Sequence, residues 1–261
     1  MENVNKTLYI PLRGKAYVSS KGFLLADPDA ESIWAASRFP MKGKSASKWL
    51  AYSMGIRAAV FDRWLTGQLS ELPDAVVLHL GCGLDSRFRR VKTHTQWFDV
   101  DFPAVIHQRQ RYFSESENYR MLGSDLREDF LCHIPRGGRA IVVMEGISMY
   151  LNSQERRDLL LRLSSHFTEV RLLMDTYTIF AARATKYKNP INDVGVTQVY
   201  GFDDPREPEC GTLSFFREHD MNPPELVRQL PPNDQRIYRL IYGGKTARKI
   251  CRLYEYRSPG L

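Results

Sequence analysis

Val77-Leu78-His79-Leu80-Gly81-Cys82-Gly83-Leu84-Asp85 runs on to Trp97-Phe98-Asp99-Val100-Asp101. Together the two pieces read as an apolar strand, a tight glycine turn, a helix and a second strand that ends in acid. This order builds a pocket for an adenosine-type ligand. Glycines at the turn let the backbone approach the ligand closely, and an acid at the end of the next strand can accept hydrogen bonds from both ribose hydroxyls. A Gly-x-Gly that merely turns a strand into a helix has the same look in isolation; the acid one strand later weighs against it.

The turn also discriminates between cofactors. A dinucleotide fold places a third glycine three residues after the second, for helix–strand packing over a pyrophosphate. Here that position is Ser86, and the chain continues as Arg87-Phe88-Arg89-Arg90. A cofactor with ribose and adenine but no pyrophosphate fits better, which points to S-adenosylmethionine. A nicotinamide-dependent oxidoreductase of the same fold class is the weaker alternative.

Strand and helix signals alternate outward from the turn. Strands are expected over 75–80, 96–101, 119–122, 140–144 and 170–174, with a last one over 248–256. Helices are expected over 84–91, from Pro103 toward Phe113, and after Asn152, where Glu155 three residues on completes a capping-box pattern. The run Ala140 to Met144 is apolar without a break, as in a strand covered on both faces. The pattern is α/β, a doubly wound and mostly parallel sheet. It divides one domain into a helical cap over 1–70, a cofactor-binding core over 71–176, a substrate lid over 177–234 and a C-terminal strand region over 235–261. The lid is suggested by irregular sequence with Asn189-Pro190, Asp204-Pro205, Glu207-Pro208 and Asn222-Pro223-Pro224.

Within the cap, Leu50, Met54, Phe61 and Trp64 fall at helical spacing, and Trp49 and Leu65 widen the stripe. Arg57 occupies the missing slot, three after Met54 and four before Phe61. An arginine on an apolar seam is costly unless its charge is met. It snorkels, pairs with a nearby acid, or reaches into the cleft to hold a carboxylate, a task that suits its planar fork.

The 261 residues carry a net charge of +7 and suffice for a sizeable core. The basic residues are dispersed; the densest groups, 87–92 and 245–249, read as solvated faces. The charge favours an anionic substrate over nucleic acid, with a basic nucleic-acid-binding protein as the alternative outside enzymology. No run of about 18 apolar residues is present, so no membrane partner is expected. The polar N-terminus lacks a signal-peptide core, which makes the cytoplasm the expected compartment. Cys82, Cys132, Cys210 and Cys251 form no C-x-x-C pair. They read as buried reduced thiols, with neither zinc nor a disulfide. The sequence carries no signal for oligomeric state.

Several fragments, in this order and spacing, resemble one family: Thr7-Leu8-Tyr9-Ile10-Pro11-Leu12, Leu80-Gly81-Cys82-Gly83-Leu84-Asp85-Ser86-Arg87, Trp97-Phe98-Asp99-Val100-Asp101-Phe102-Pro103, Ser124-Asp125-Leu126 and Glu145-Gly146-Ile147-Ser148-Met149-Tyr150-Leu151. Over about residues 7–175 the chain resembles the leucine carboxyl methyltransferases of class I, in particular their branch of tetracenomycin-type polyketide O-methyltransferases. The resemblance implies a Rossmann-like fold, S-adenosylmethionine as cofactor and S-adenosylhomocysteine as product. It implies cofactor roles for Lys15, for Arg57 at the methionine carboxylate, for Gly81 and Gly83 at the turn, and for Asp101 rather than Asp99 at the ribose. Asp125 and Leu126 would flank the adenine, and Glu145 would lie near the methionine end. Position adds weight, because Asp101, Asp125 and Glu145 all fall at C-terminal ends of expected strands, where open α/β sheets bind ligands.

The expected reaction is methyl transfer to an oxygen of a small metabolite, polyketide or peptide C-terminus, without a metal. A carboxylate acceptor needs no general base, whereas a hydroxyl does. His79 reads as a core residue. Tyr150 is the candidate for contact with the acceptor, and Tyr177 lies near the same edge. The lack of an obvious base favours a carboxylate.

Overall fold

Val76–Leu80 forms strand β1 at the centre of a seven-stranded sheet. Its alternate side chains explain the unbroken apolar sequence: Val77 packs into one buried layer and Leu78 and Leu80 into the other. β4 (Arg139–Met144) behaves alike, with Ile141 and Val143 on one face and Ala140, Val142 and Met144 on the other. The remaining strands are β2 (Trp97–Asp101), β3 (Tyr119–Gly123), β5 (Glu169–Tyr177), β6 (Ser214–His219) and β7 (Cys251–Arg257). The computed structural model describes residues 7–184, 199–243 and 248–259.

The strand order is β3-β2-β1-β4-β5-β7-β6. The five strands β1 to β5 pair in parallel, and β7 and β6 are antiparallel additions. The chain therefore winds outward from β1 in one direction and, after β3, returns to wind in the other. The gap between β1 and β4 is the switch point, and ligands of such sheets bind outside the carboxyl ends of the strands there.

One face of the sheet is covered by the N-terminal helices α1 (Tyr9–Ser20), α2 (Pro28–Ser37) and α3 (Lys48–Glu71). Asp27 caps α2 by accepting the Ala30 amide at 2.9 Å, and Pro28 supplies the first helical residue. The Ser47 hydroxyl accepts the Trp49 amide at the start of α3. α1 crosses α3 at Gly14, where a Cβ would stand 2.4 Å from that of Met54, so only a residue without a side chain permits this approach. α4 (Arg87–Arg90) and α5 (Pro103–Arg109) follow β1 and β2. On the other face, α6 (Ser153–His166) buries Leu159, Leu160 and Leu163. Its capping box is complete: Asn152 accepts the Glu155 amide at 3.0 Å, and Glu155 accepts that of Asn152 at 2.7 Å.

Two expectations change. The helix expected over 84–91 is only the single turn α4, because Leu84 to Ser86 belong to the glycine turn. The irregular stretch expected as a lid contains β6, which pairs with β7 and makes the sheet edge, and the helices α7 (Ile179–Ala184), α8 (Pro224–Val227) and α9 (Pro232–Tyr242) begin or lie in it. Asn189-Pro190 lies outside the described residues. No helix among the described residues is long and apolar enough to cross a membrane. Of the four thiols expected to be buried, Cys82 is, Cys210 and Cys251 are half-buried and Cys132 is exposed; all four are free.

Replacing Asn152 with Ala removes an N-cap and one arm of the box. We expect a loss of about 1 kcal/mol, read in urea denaturation as a lower midpoint at unchanged m-value.

Candidate functional site

A cleft of about 430 Å³ opens along the carboxyl ends of the parallel strands. Its size falls within the roughly 300–1,000 Å³ usual for small-molecule sites. Gly81 follows β1 with φ of +68°, and a Cβ there would stand 2.1 Å from Cγ2 of Ile147. Both conditions demand glycine. All the residues singled out from the sequence line this one cleft: Lys15, Arg57, Gly81, Gly83, Asp101, Asp125, Leu126, Glu145 and Tyr150. Leu50 and Met54 line it too, so part of the α3 stripe is cavity wall, while Trp49 packs against the core and Phe61, Trp64 and Leu65 lie within it.

Asp101 ends β2 and turns back over the glycine bend. Its Oδ2 accepts the Gly83 amide at 2.7 Å and its Oδ1 accepts the Phe102 amide at 2.8 Å. Burial pushes the carboxyl up to about 6, against the pull of those two amides. For folding, the sign follows directly. An acid whose folded value lies above its ordinary 3.8 favours the fold fully below that value, and the contribution is lost as pH rises through about 6. The other side of the Gly83 peptide is held as well: its carbonyl accepts from Nη1 of Arg109 at 3.1 Å. Arg109 is fully buried and pairs with Asp99. Asp99 is internal: it also accepts from Trp97 and Tyr119, reaches His79 and does not line the cleft.

At the opposite side of the bend, Glu145 ends β4. Burial alone would raise its carboxyl, but the guanidiniums of Arg87 and Arg57 outweigh it and hold it at about 2. Arg57 donates from Nε to Glu145 at 2.9 Å and from Nη1 to Asp175 at 2.9 Å. The seam arginine thus pairs with acids and lines the cleft at once. Lys15 pairs with Asp85 at 3.0 Å. Asp125 sits at the β3 end with both carboxyl oxygens taken by Arg127.

The group 87–92 overturns its reading as a solvated face. Arg87 is fully buried and meets Asp62 at 2.6 Å, Asp85 at 3.4 Å and Glu145. Its Nη1 lies 3.1 Å from Nε2 of His79. A guanidinium only donates, so Nε2 accepts and the imidazole proton sits on Nδ1, facing Asp99. Burial holds His79 below its ordinary pKa, hence neutral. Arg90 joins Asp62, Asp85 and Asp27. Of the group 245–249, residues 245–247 lie outside the described residues, and Arg248 is exposed.

Thr7, Leu8, His79, Tyr177 and Tyr200 also line the cleft. Burial raises the hydroxyls of Tyr150 and Tyr177 above the ordinary value for tyrosine, and Tyr150 hydrogen-bonds with Thr7. Asp175 was not anticipated, although it carries the same signal as Asp101 and Glu145, an acid at the end of a parallel strand. The strand is expected to stop at Met174 and runs three residues further, to Tyr177. Among the described residues no group of three or more His, Cys, Asp or Glu side chains is placed to hold a metal ion.

The sequence model of the leucine carboxyl methyltransferases matches residues 15–164. The chain belongs to that family. It is an S-adenosylmethionine-dependent methyltransferase. The tetracenomycin polyketide synthesis O-methyltransferase TcmP of Streptomyces glaucescens is 38% identical over 80% of this chain and 79% of its own. The S-adenosyl-L-methionine-dependent methyltransferase dpfgK of Gibberella zeae is 28% identical over 64% of this chain and 61% of its own. Among solved structures, magnesium protoporphyrin IX methyltransferase of Synechocystis PCC 6803, with S-adenosylhomocysteine bound, superposes with a TM-score of 0.51 at 11% identity. That likeness covers 94% of this chain and 97% of the other, and it concerns the fold alone. The class I, Rossmann-like architecture expected from the sequence is the one observed.

Removing one member of a buried ion network leaves charges uncompensated. Arg87→Met is expected to destabilise the protein by about 3–5 kcal/mol. Arg89→Met, which loses a half-exposed pair with Asp29 and contacts over the rings of Phe88 and Phe113, is expected to cost about 1–2 kcal/mol. Urea denaturation of the two variants checks the contrast.

Proposed function

We propose that the cleft holds S-adenosylmethionine with its ribose on Asp101, its adenine beside Asp125 and Leu126, and its methionine end among Lys15, Arg57 and Glu145. The observation that carries this reading is that Asp101 and Arg57 line one cavity on either side of the Gly81 bend. The chemistry of the donor set fits the cofactor. A carboxylate suits a diol, a guanidinium suits a carboxylate, and Glu145, held ionised, suits an ammonium. Bound there, S-adenosylmethionine supplies a methyl group already activated on a sulfonium. The protein's own part is alignment and exclusion of water, with Leu50, Met54 and Met149 as apolar wall.

The acceptor we infer is a carboxylate of an anionic small molecule, a polyketide or a peptide end. Among the described residues lining the cleft, Asp101, raised to about 6, is assigned to the ribose, and His79, Glu145 and the two tyrosines are not poised to take a proton from a hydroxyl. His79 has its accepting nitrogen turned to Arg87. Glu145 is clamped by two arginines. Burial raises both tyrosine hydroxyls, so Tyr150 serves to contact the acceptor rather than to deprotonate it. An acceptor that is already ionised at neutral pH needs none of them. The family's own description, leucine carboxyl methyltransferase, supports a carboxyl acceptor, and the tetracenomycin relative supports methyl transfer to an oxygen of a polyketide. A methylated product that mild alkali hydrolyses is the expected outcome; an alkali-stable product would instead indicate an ether formed on a hydroxyl.

Calorimetry with S-adenosylhomocysteine tests the cofactor assignment. Ribose hydroxyls would donate to ionised Asp101, so binding favours loss of its proton. Affinity should therefore rise with pH through about 6 and then level off, falling below that point by up to about tenfold per unit. Asp101→Asn should weaken binding about tenfold and flatten that pH dependence. A variant with wild-type affinity removes Asp101 from the ribose site.

A further inference from the structure

Asp175 lies in β5 one residue past Met174, the last residue of the strand to pair in parallel with β4, opposite Met144. It therefore stands beside Glu145. It is fully buried. Its Oδ2 accepts from Nη1 of Arg57 at 2.9 Å, and its Oδ1 accepts the amide of Gly146 at 2.6 Å. Its backbone carbonyl accepts the Ser148 hydroxyl. One residue thus fixes the seam arginine of α3 and the turn that follows Glu145.

Arg57 is gripped at two different nitrogens by two neighbouring strand ends: Nε on Glu145 and Nη1 on Asp175. Two attachment points fix the plane of a guanidinium, where one would leave it free to swing. Among the described residues no protein acceptor meets Nη2, and Arg57 lines the cleft. Glu145 cannot hold the plane alone, because its other oxygen is engaged by Arg87. We propose that Asp175 is a positioning residue: it aims Arg57 so that the free edge of its guanidinium meets the carboxylate of the cofactor's methionine end. The inference rests on the reading that Arg57 binds that carboxylate. Asp175 acts through Arg57 and the Gly146 turn. Asparagine in its place keeps one acceptor and turns an amine toward either Arg57 or Gly146, so one of the two links is lost.

The test compares S-adenosylhomocysteine with 5′-methylthioadenosine, which carries the same nucleoside and sulfur but no amino-acid end. Calorimetry on Asp175→Asn should show S-adenosylhomocysteine binding weakened roughly tenfold and methylthioadenosine binding changed less than about twofold. Retained methylthioadenosine binding also reports a folded cleft. Equal loss for both ligands, or no loss for either, overturns the proposal. Arg57→Met should show the same selective loss. If it weakens both ligands alike, the reading of Arg57 itself falls and the inference with it. If Arg57→Met is selective and Asp175→Asn is not, only the role of Asp175 falls. The double variant Asp175→Asn/Arg57→Met removes a buried pair together, which the fold tolerates better than half of it. Should the single Asp175→Asn chain not fold, this variant carries the test against Arg57→Met alone. Equal affinity of the two for S-adenosylhomocysteine supports action through Arg57. A further loss in the double variant shows that Asp175 acts by another route and overturns the proposal.

Discussion

The buried guanidinium of Arg87 is the tie on which the site depends. It joins α3 through Asp62, the central strand through His79, and the rim of β4 through Glu145. A cation so enclosed is tolerable only with several acids around it, and losing any one partner would leave the rest uncompensated. Arg90 extends the network to Asp27 at the head of α2, and Arg109 does the same work at the other side of the bend with Asp99 and the Gly83 carbonyl. The glycine turn needs this support. A backbone that must come close to a ligand has no side chain of its own to brace it.

The sheet supplies the rim and the N-terminal helices supply the wall. The parallel pairing ends at one level, so Asp101, Glu145 and Asp175, at or next to the last parallel pairs of β2, β4 and β5, converge without any long-range design beyond strand register. α3 then brings a single cation across them. Its charge is matched from the sheet side by Glu145 and Asp175, and its pKa is raised by them against the effect of burial. The cleft therefore has unlike ends: a carboxylate between backbone amides at Asp101, and an arginine between carboxylates at Arg57.

Much of this was legible in the sequence. Asp101 and Glu145 follow apolar strands, and strands covered on both faces are easy to see. Arg57 was legible as a misfit on an apolar stripe. Arg87 was not, since its partners Asp62 and Glu145 lie 25 and 58 positions away and local spacing makes a cluster of arginines look like a solvated surface. Asp175 directly follows an expected strand as Glu145 does, but its partners Arg57 and Gly146 lie 118 and 29 positions away, so nothing local marks it. The extension of β5 to Tyr177 comes from pairing with the antiparallel β7. β6 has the same origin. Its residues are mostly not buried, so no apolar period marks it, and only its pairing with β7 makes it a strand.

α3 changes its occupation along its length. From Phe61 to Leu65 it is anchored in the interior, while Leu50 and Met54 look onto the cavity. Its first turns are held on their other side, where Tyr52 and Ile56 are buried in the core. Leu50 is only half-buried, so its bulk can change the breadth of the cleft while its neighbours Ala51 and Tyr52 keep the helix in place.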